Sequence, residues 1–100
     1  MARGESETFE FKSKLPDSLA EKRNVFKTVA AFASGEGGTI VFGIGDDGSL
    51  AGLDAALAAE SRRFTDLLRR LVTPTPRFRQ QHVHFDGKNI LLVHVEPLPV

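Results

Sequence analysis

Cysteine is absent from this chain of 100 residues, so disulfide bonds and thiolate metal sites are both excluded. Long hydrophobic runs are absent as well, and no stretch approaches the roughly 20 apolar residues that a membrane-spanning helix needs. The first seven residues lack the apolar core of a signal peptide. We therefore expect a soluble, cytoplasmic protein.

The chain also lacks net charge, because 13 basic residues balance 13 acidic ones. This balance argues against a protein that coats DNA non-specifically, since such binding depends on clustered Lys and Arg. The charges are nevertheless segregated along the chain. Six arginines lie within residues 62–79 beside a single acid, Asp66, whereas the acids gather in residues 5–10 and 36–54. This asymmetry indicates a partner for the basic segment.

Hydrophobic periodicity predicts seven elements in one domain over residues 1–100. Ser18 and Glu21 have the spacing of a capping box, and Gly35 suits a left-handed helix end. The predicted elements are, in order, strand Thr8–Lys12, helix Ser18–Ser34, strands Thr39–Ile44 and Leu50–Leu53, helix Ala55–Val72, and strands Phe78–Phe85 and Asn89–Glu96. The expected fold class is α+β, a two-layer β-α-β-β-α-β-β sandwich whose mainly antiparallel sheet carries two packed helices.

Strand alternation and helical spacing also predict which side chains are buried. In the first strand, Phe9 and Phe11 share one face, which is expected to be the core face, while Glu10 and Lys12 share the other. The predicted core consists of Phe9, Phe11, Phe26, Val29, Ile40, Phe42, Ile44, Phe64, Leu68, Leu71 and Leu92. The segment 97–100 is typical of a strand exit. An exposed sheet edge would allow a homo-oligomer.

Four short motifs together resemble a known family. They are Glu-Phe-Lys at 10–12, Ala-Phe-Ala-Ser at 31–34, Gly-Gly-Thr at 37–39 and Gly-Ile-Gly-Asp-Asp-Gly at 43–48. In this order they resemble the Schlafen-type AlbA-like domain, over residues 5–53 and more loosely to Pro97. The resemblance implies a DNA- or RNA-binding module of a bacterial transcriptional regulator or defence protein, related to the Schlafen ribonuclease core. Family members usually continue from the segment 97–100 into a further strand, so the resemblance also implies a domain excised from a longer chain.

The resemblance also implies an alternative function, that of a metal-dependent endoribonuclease acting on structured RNA. In nuclease members, three carboxylates hold a divalent metal, and Glu5, Glu10 and Asp46 match their positions. Mg²⁺ or Mn²⁺ held there would activate water and offset the charge of a scissile phosphate, which Lys12 would contact. The alternative is that Glu10 pairs with Lys12 on a solvated strand face, while Asp46 and Asp47 only build a turn. A pure binding module would need no cofactor.

Two further alternatives follow from the residues. As a binding module, the chain is expected to hold phosphates with basic side chains, namely Lys12, Lys14, Arg62, Arg63, Arg69 and Arg70. As a self-association domain it would have no nucleic-acid role, which its zero net charge allows. His82, His84 and His94 lie on the two last strands, but without an acid or Cys at ligand spacing they are a weak zinc signal.

Overall fold

The computed structural model describes residues 9–16, 18–53 and 57–99. Its elements are β1 (Phe9–Lys12), α1 (Leu19–Ser34), β2 (Gly38–Phe42), α2 (Leu57–Leu71), β3 (Phe78–Phe85) and β4 (Lys88–Val95). The four strands form one sheet in the order β1-β2-β4-β3. β1 is parallel to β2, and the other two pairings are antiparallel. This is the predicted α+β architecture with a mostly antiparallel sheet. Within the described ranges, neither helix is long and apolar enough to cross a membrane.

The predicted strand Leu50–Leu53 is replaced by a loop with two isolated bridges. Leu50 pairs with Ile44, and Leu53 pairs with Asn89. β2 ends after Phe42, where Gly43 leaves the extended conformation with a positive φ of 112°. The carbonyl oxygen of Gly43 then accepts hydrogen bonds from the N–H groups of residues 51 and 52. The returning chain is therefore fastened to the end of the sheet without forming a continuous ladder.

The capping box that begins α1 is confirmed. The Ser18 hydroxyl accepts the N–H of Glu21 at 3.1 Å, and the Ser18 N–H donates to the Glu21 carboxylate at 3.1 Å. At the other end, the predicted left-handed conformation of Gly35 is wrong, because its φ is −107°. Gly37 has the positive φ of 84° instead. A side chain at Gly37 would also meet the Val95 carbonyl oxygen at 2.7 Å, so this position requires glycine.

The core lies between the two helices and one face of the sheet. On that face β2 contributes Ile40 and Phe42, both fully buried. The ring of Phe42 meets the ring of Phe64 edge-on, with centroids 5.7 Å apart. Burial of Val29, Ile40, Phe42, Phe64 and Leu68 agrees with the sequence prediction. The same core also contains buried residues that were not predicted, namely Val25, Phe32, Ala33, Val72, Leu91, Val93 and Val95. Val41 and Ile90 are buried on the opposite sheet face.

The opposite face of the sheet carries the aromatic residues of β1. Phe9 and Phe11 are in register with Thr39 and Val41, and therefore point away from Ile40 and the helices. Phe9 is 43% exposed, so its predicted burial is wrong. Phe11 is only half-buried. Neither described helix covers this face, and the alternation along β1 instead turns its polar residues toward the helical side.

Four other residues of the predicted core are also less buried than expected. Leu92 lies on the sheet face opposite the two described helices and is half-buried, as are Ile44 and Phe26. Leu71 is 57% exposed, because α2 ends at this residue and the core contact passes to Val72. Helical spacing alone did not show that Val72 is buried and Leu71 is exposed.

Candidate nucleic-acid interface

The predicted carboxylate trio divides between described and undescribed residues. Glu5 lies outside the described residues. Glu10 is half-buried on β1, and its Oε2 lies 3.4 Å from the Nζ of Lys12, so these two residues form the predicted pair. Asp46 is exposed in the loop after β2. Over residues 9–16, 18–53 and 57–99, no group of three or more His, Cys, Asp or Glu side chains could hold a metal ion. The metal site therefore stays a prediction.

The turn after β2 is built by Asp47. Its Oδ1 accepts the N–H of Ser49 at 2.9 Å and the Ser49 hydroxyl at 2.7 Å. These hydrogen bonds hold the pKa of Asp47 below its ordinary value, the hydroxyl having the larger effect. Asp46 and Asp47 are the two central residues of this turn, which the Gly48 N–H closes by donating to the Gly45 carbonyl oxygen at 2.8 Å. The predicted turn role of the pair is therefore confirmed, and Asp47 adds the side-chain hydrogen bonds.

The three histidines do not share a sheet face. His82 is in register with Leu91, on the helical side, whereas His94 is in register with Arg79 on the opposite side of the sheet. The His94 ring lies between Thr39, with Nδ1 3.0 Å from the hydroxyl, and Gln81, with Nε2 3.1 Å from Oε1. Burial, and secondly the charge of Arg79, lower the pKa of His94. A zinc site that uses His82, His84 and His94 together is therefore incompatible with the strand register.

The arginines of α2 fall on two flanks of the helix. Gln80 of β3 donates hydrogen bonds to the Ser61 carbonyl and the Thr65 hydroxyl, so this side of α2 faces β3. At 100° per residue, Arg62 and Arg69 lie beside Thr65 on the β3 flank. Arg63 and Arg70 lie about 100° further around the helix, on the flank toward α1, where Arg63 lines the groove between the two helices. All four arginines are exposed, and Asp66 lies between the two pairs around the helix.

Arg63 borders a groove between α1 and α2 that we name the interhelical groove. Its volume is about 430 Å³. Three cations line it, one from each of three segments: Lys14 after β1, Lys22 on α1 and Arg63 on α2. No described acidic residue lines it. The groove therefore joins two predicted phosphate-binding residues that are separated by 49 positions in the chain.

The floor of the interhelical groove is apolar. It is formed by Leu15, Phe26, Leu53, Phe64 and Leu67. Phe26 is half-buried, and its ring centroid lies 6.2 Å from that of Phe64. Lys22 and Phe26 are the functional candidates that sequence reasoning missed. Their spacing of four residues on one helix was the available signal, because it places both on the same face.

A smaller cavity of about 150 Å³ adjoins the interhelical groove and is also lined by Lys14, Leu15 and Pro16. It is also lined by Lys12 and by one acid, Glu21. Lys14 forms an ion pair with Glu21, with Nζ 3.4 Å from Oε2. The Lys14 side chain is 64% exposed and the Glu21 side chain 42%, so the pair contributes only about 0–1 kcal/mol and leaves Lys14 able to exchange partners.

Comparison with known proteins gives the following matches. Residues 5–99 match the family described as Schlafen, AlbA_2. Among solved structures, 15 chains match. One is the solution NMR structure of the N-terminal domain of an ATP-dependent DNA helicase RecG-related protein from Nitrosomonas europaea, with 26% identity and a TM-score of 0.63. The match covers 93% of this chain and 65% of that one, slightly less than two thirds. No curated protein matches.

Proposed function

The chain belongs to the Schlafen AlbA_2 family, and from that premise we propose that it binds nucleic acid through the basic surface around the interhelical groove. The phosphate-binding residues in this proposal are Lys12, Lys14, Lys22, Arg63 and Arg70. The RecG-related protein is named for a DNA helicase, which supports a nucleic-acid role for this domain. We propose that the domain acts within a bacterial regulator or defence protein.

The observation that supports this proposal most directly is the convergence of cations from separate segments. Lys14, Lys22 and Arg63 surround one groove although they come from a loop and two different helices. The described charged residues on that groove are all positive, while the chain as a whole has no net charge. Because phosphate binding depends on local cation density, a chain of zero net charge can still present a phosphate-binding surface.

The two flanks of α2 provide a matched test. Replacing Arg63 and Arg70 with Ser removes two cations on the flank toward α1. Replacing Arg62 and Arg69 with Ser removes the same residue type and the same charge from the β3 flank. We expect the first variant to bind labelled duplex DNA, duplex RNA and single strands more weakly, with little dependence on base sequence. The second variant should bind nearly as tightly as the wild type.

Salt titration makes the comparison quantitative. Each lost phosphate contact should flatten the slope of log affinity against log salt by about 0.9 for duplex DNA or about 0.7 for single strands. The Arg63/Arg70 variant should therefore lose up to about 1.8 units of slope on duplex DNA, and the Arg62/Arg69 variant almost none. Equal losses for the two variants would contradict the groove-side assignment. No binding of wild type to any of the probes would overturn the proposed function.

A further inference from the structure

The interhelical groove combines two kinds of chemistry that a nucleotide requires. Its floor offers an aromatic side chain, Phe26, which is half-buried and lies beside the buried ring of Phe64. Its border offers the cations of Lys14, Lys22 and Arg63. Phosphate-tracking cations need only a surface, so they do not explain why the groove between them has an apolar floor. A ligand that carries an apolar ring close to an anionic group would match both the floor and the border of the groove.

The dimensions of the groove restrict the ligand. Its volume of about 430 Å³ lies at the small end of the roughly 300–1,000 Å³ typical of small-ligand sites. A double helix is too wide to enter and would contact only the border cations. A single base that has left its stack can reach the floor, because every base has a π-face that packs on an aromatic ring.

Lys22 is positioned to bind the phosphate that accompanies such a base. It is half-buried on the same face of α1 as Phe26, one helical turn before it. Lys22 takes no part in the ion pairs that Lys12 forms with Glu10 and that Lys14 forms with Glu21. An ammonium group one turn from an aromatic ring is spaced for a base and its own phosphate, which are joined through one sugar.

We propose that the interhelical groove binds one unstacked nucleotide of a single-stranded nucleic acid. The base packs on Phe26, and the adjoining phosphate lies between Lys22 and Arg63. The proposal rests on the proposed function, and it adds that the domain discriminates between single-stranded and fully paired nucleic acid. Such discrimination does not follow from a basic surface alone, since border cations would bind phosphates of either form.

The test uses three labelled probes that differ in their bases: an oligothymidylate, a strand of the same length made of abasic deoxyribose phosphates, and a DNA hairpin duplex. The protein variants are Phe26→Leu, which keeps apolar bulk but loses the ring, and Phe26→Tyr, which keeps the ring. Lys22→Gln reports on the phosphate contact. Thermal melting of each variant verifies that the fold is retained before affinities are compared.

We expect wild type to bind the oligothymidylate about tenfold more tightly than the abasic strand. Phe26→Leu should remove that advantage and leave affinity for the abasic strand and the duplex unchanged, while Phe26→Tyr should retain it. Lys22→Gln should weaken the oligothymidylate and the abasic strand alike. Thymidine monophosphate, added as a competitor, should displace the oligothymidylate only weakly, because it lacks the neighbouring phosphates.

Several outcomes would separate this inference from the proposed function. If wild type binds the oligothymidylate and the abasic strand equally and Phe26→Leu changes neither, the domain binds nucleic acid but the nucleotide site is wrong. If thymidine monophosphate competes as well as the oligothymidylate, the groove is a small-molecule site and the assignment to a strand is overturned. If wild type binds none of the three probes, both the proposed function and the inference fail.

Discussion

Replacing Phe42 with Ala tests whether the interface between sheet and helices is the main source of stability. The Phe42 side chain is fully buried and packs edge-on against Phe64. Transfer of such a side chain from water contributes about 1.5–3 kcal/mol. The aromatic pair adds about 0.5–1.5 kcal/mol. With the cavity that remains, the free energy of unfolding should fall by about 3–5 kcal/mol.

This loss is large for a domain of 100 residues, whose total stability is about 5–15 kcal/mol. A loss of 3 kcal/mol alone should lower Tm by roughly 12–24 °C. Urea denaturation followed by circular dichroism gives the free energy directly, and an unchanged m-value would show that both proteins unfold from the same folded state.

Phe85→Ala is the matched control, because it removes the same atoms from a side chain that is 62% exposed at the end of β3. We expect that substitution to cost less than about 1 kcal/mol. If Phe42→Ala cost less than about 1 kcal/mol with an unchanged m-value, the packing of the helices on this sheet face would be refuted. Equal losses for Phe42→Ala and Phe85→Ala would refute it as well, since burial would then have no effect.

Two further predictions concern ionisation and catalysis. Because burial and Arg79 hold the pKa of His94 below 6.5, the unfolded chain binds the proton more readily. The stability associated with His94 is present above about pH 6.5 and is lost as the pH falls through that value toward the lower folded pKa. His94→Gln should therefore flatten the pH dependence of urea stability below about pH 6.5, and an unchanged profile would contradict this assignment. For catalysis, the carboxylate hypothesis expects cleavage of tRNA in Mn²⁺ that EDTA stops and that Glu10→Gln and Asp46→Asn abolish without loss of binding. Asp47→Asn serves as the neighbouring control, and no product from wild type would end the hypothesis.

Zero net charge is compatible with the proposed role because function depends on where the charges lie in space. The arginines of residues 62–79 suggested one basic segment. In the fold, α2 divides four of them between two flanks, and only Arg63 borders the interhelical groove. Lys14 and Lys22 complete that border from the first quarter of the chain. The electrostatic surface is thus a tertiary property, although each of its charges is visible in the sequence.

The features that the sequence determined by itself are those made by neighbouring residues. The capping box of α1 depends on Ser18 and Glu21, which are three positions apart. The β3–β4 hairpin depends on Asp86 and Gly87, which both adopt the positive φ that a two-residue loop requires. Such interactions form within a few residues, so their sequence signals do not depend on the rest of the fold.

Only the tertiary structure decided which face of β1 is covered. Alternation establishes that Phe9 and Phe11 share one face of β1 and that Glu10 and Lys12 share the other. It does not determine which of the two faces packs against the helices. Parallel pairing with β2 set that outcome, by placing Glu10 in register with Ile40 on the helical side. The groove cations were undetermined for the same reason: helices far apart in the chain must first pack, here through Phe26 and Phe64, before their charges can become neighbours.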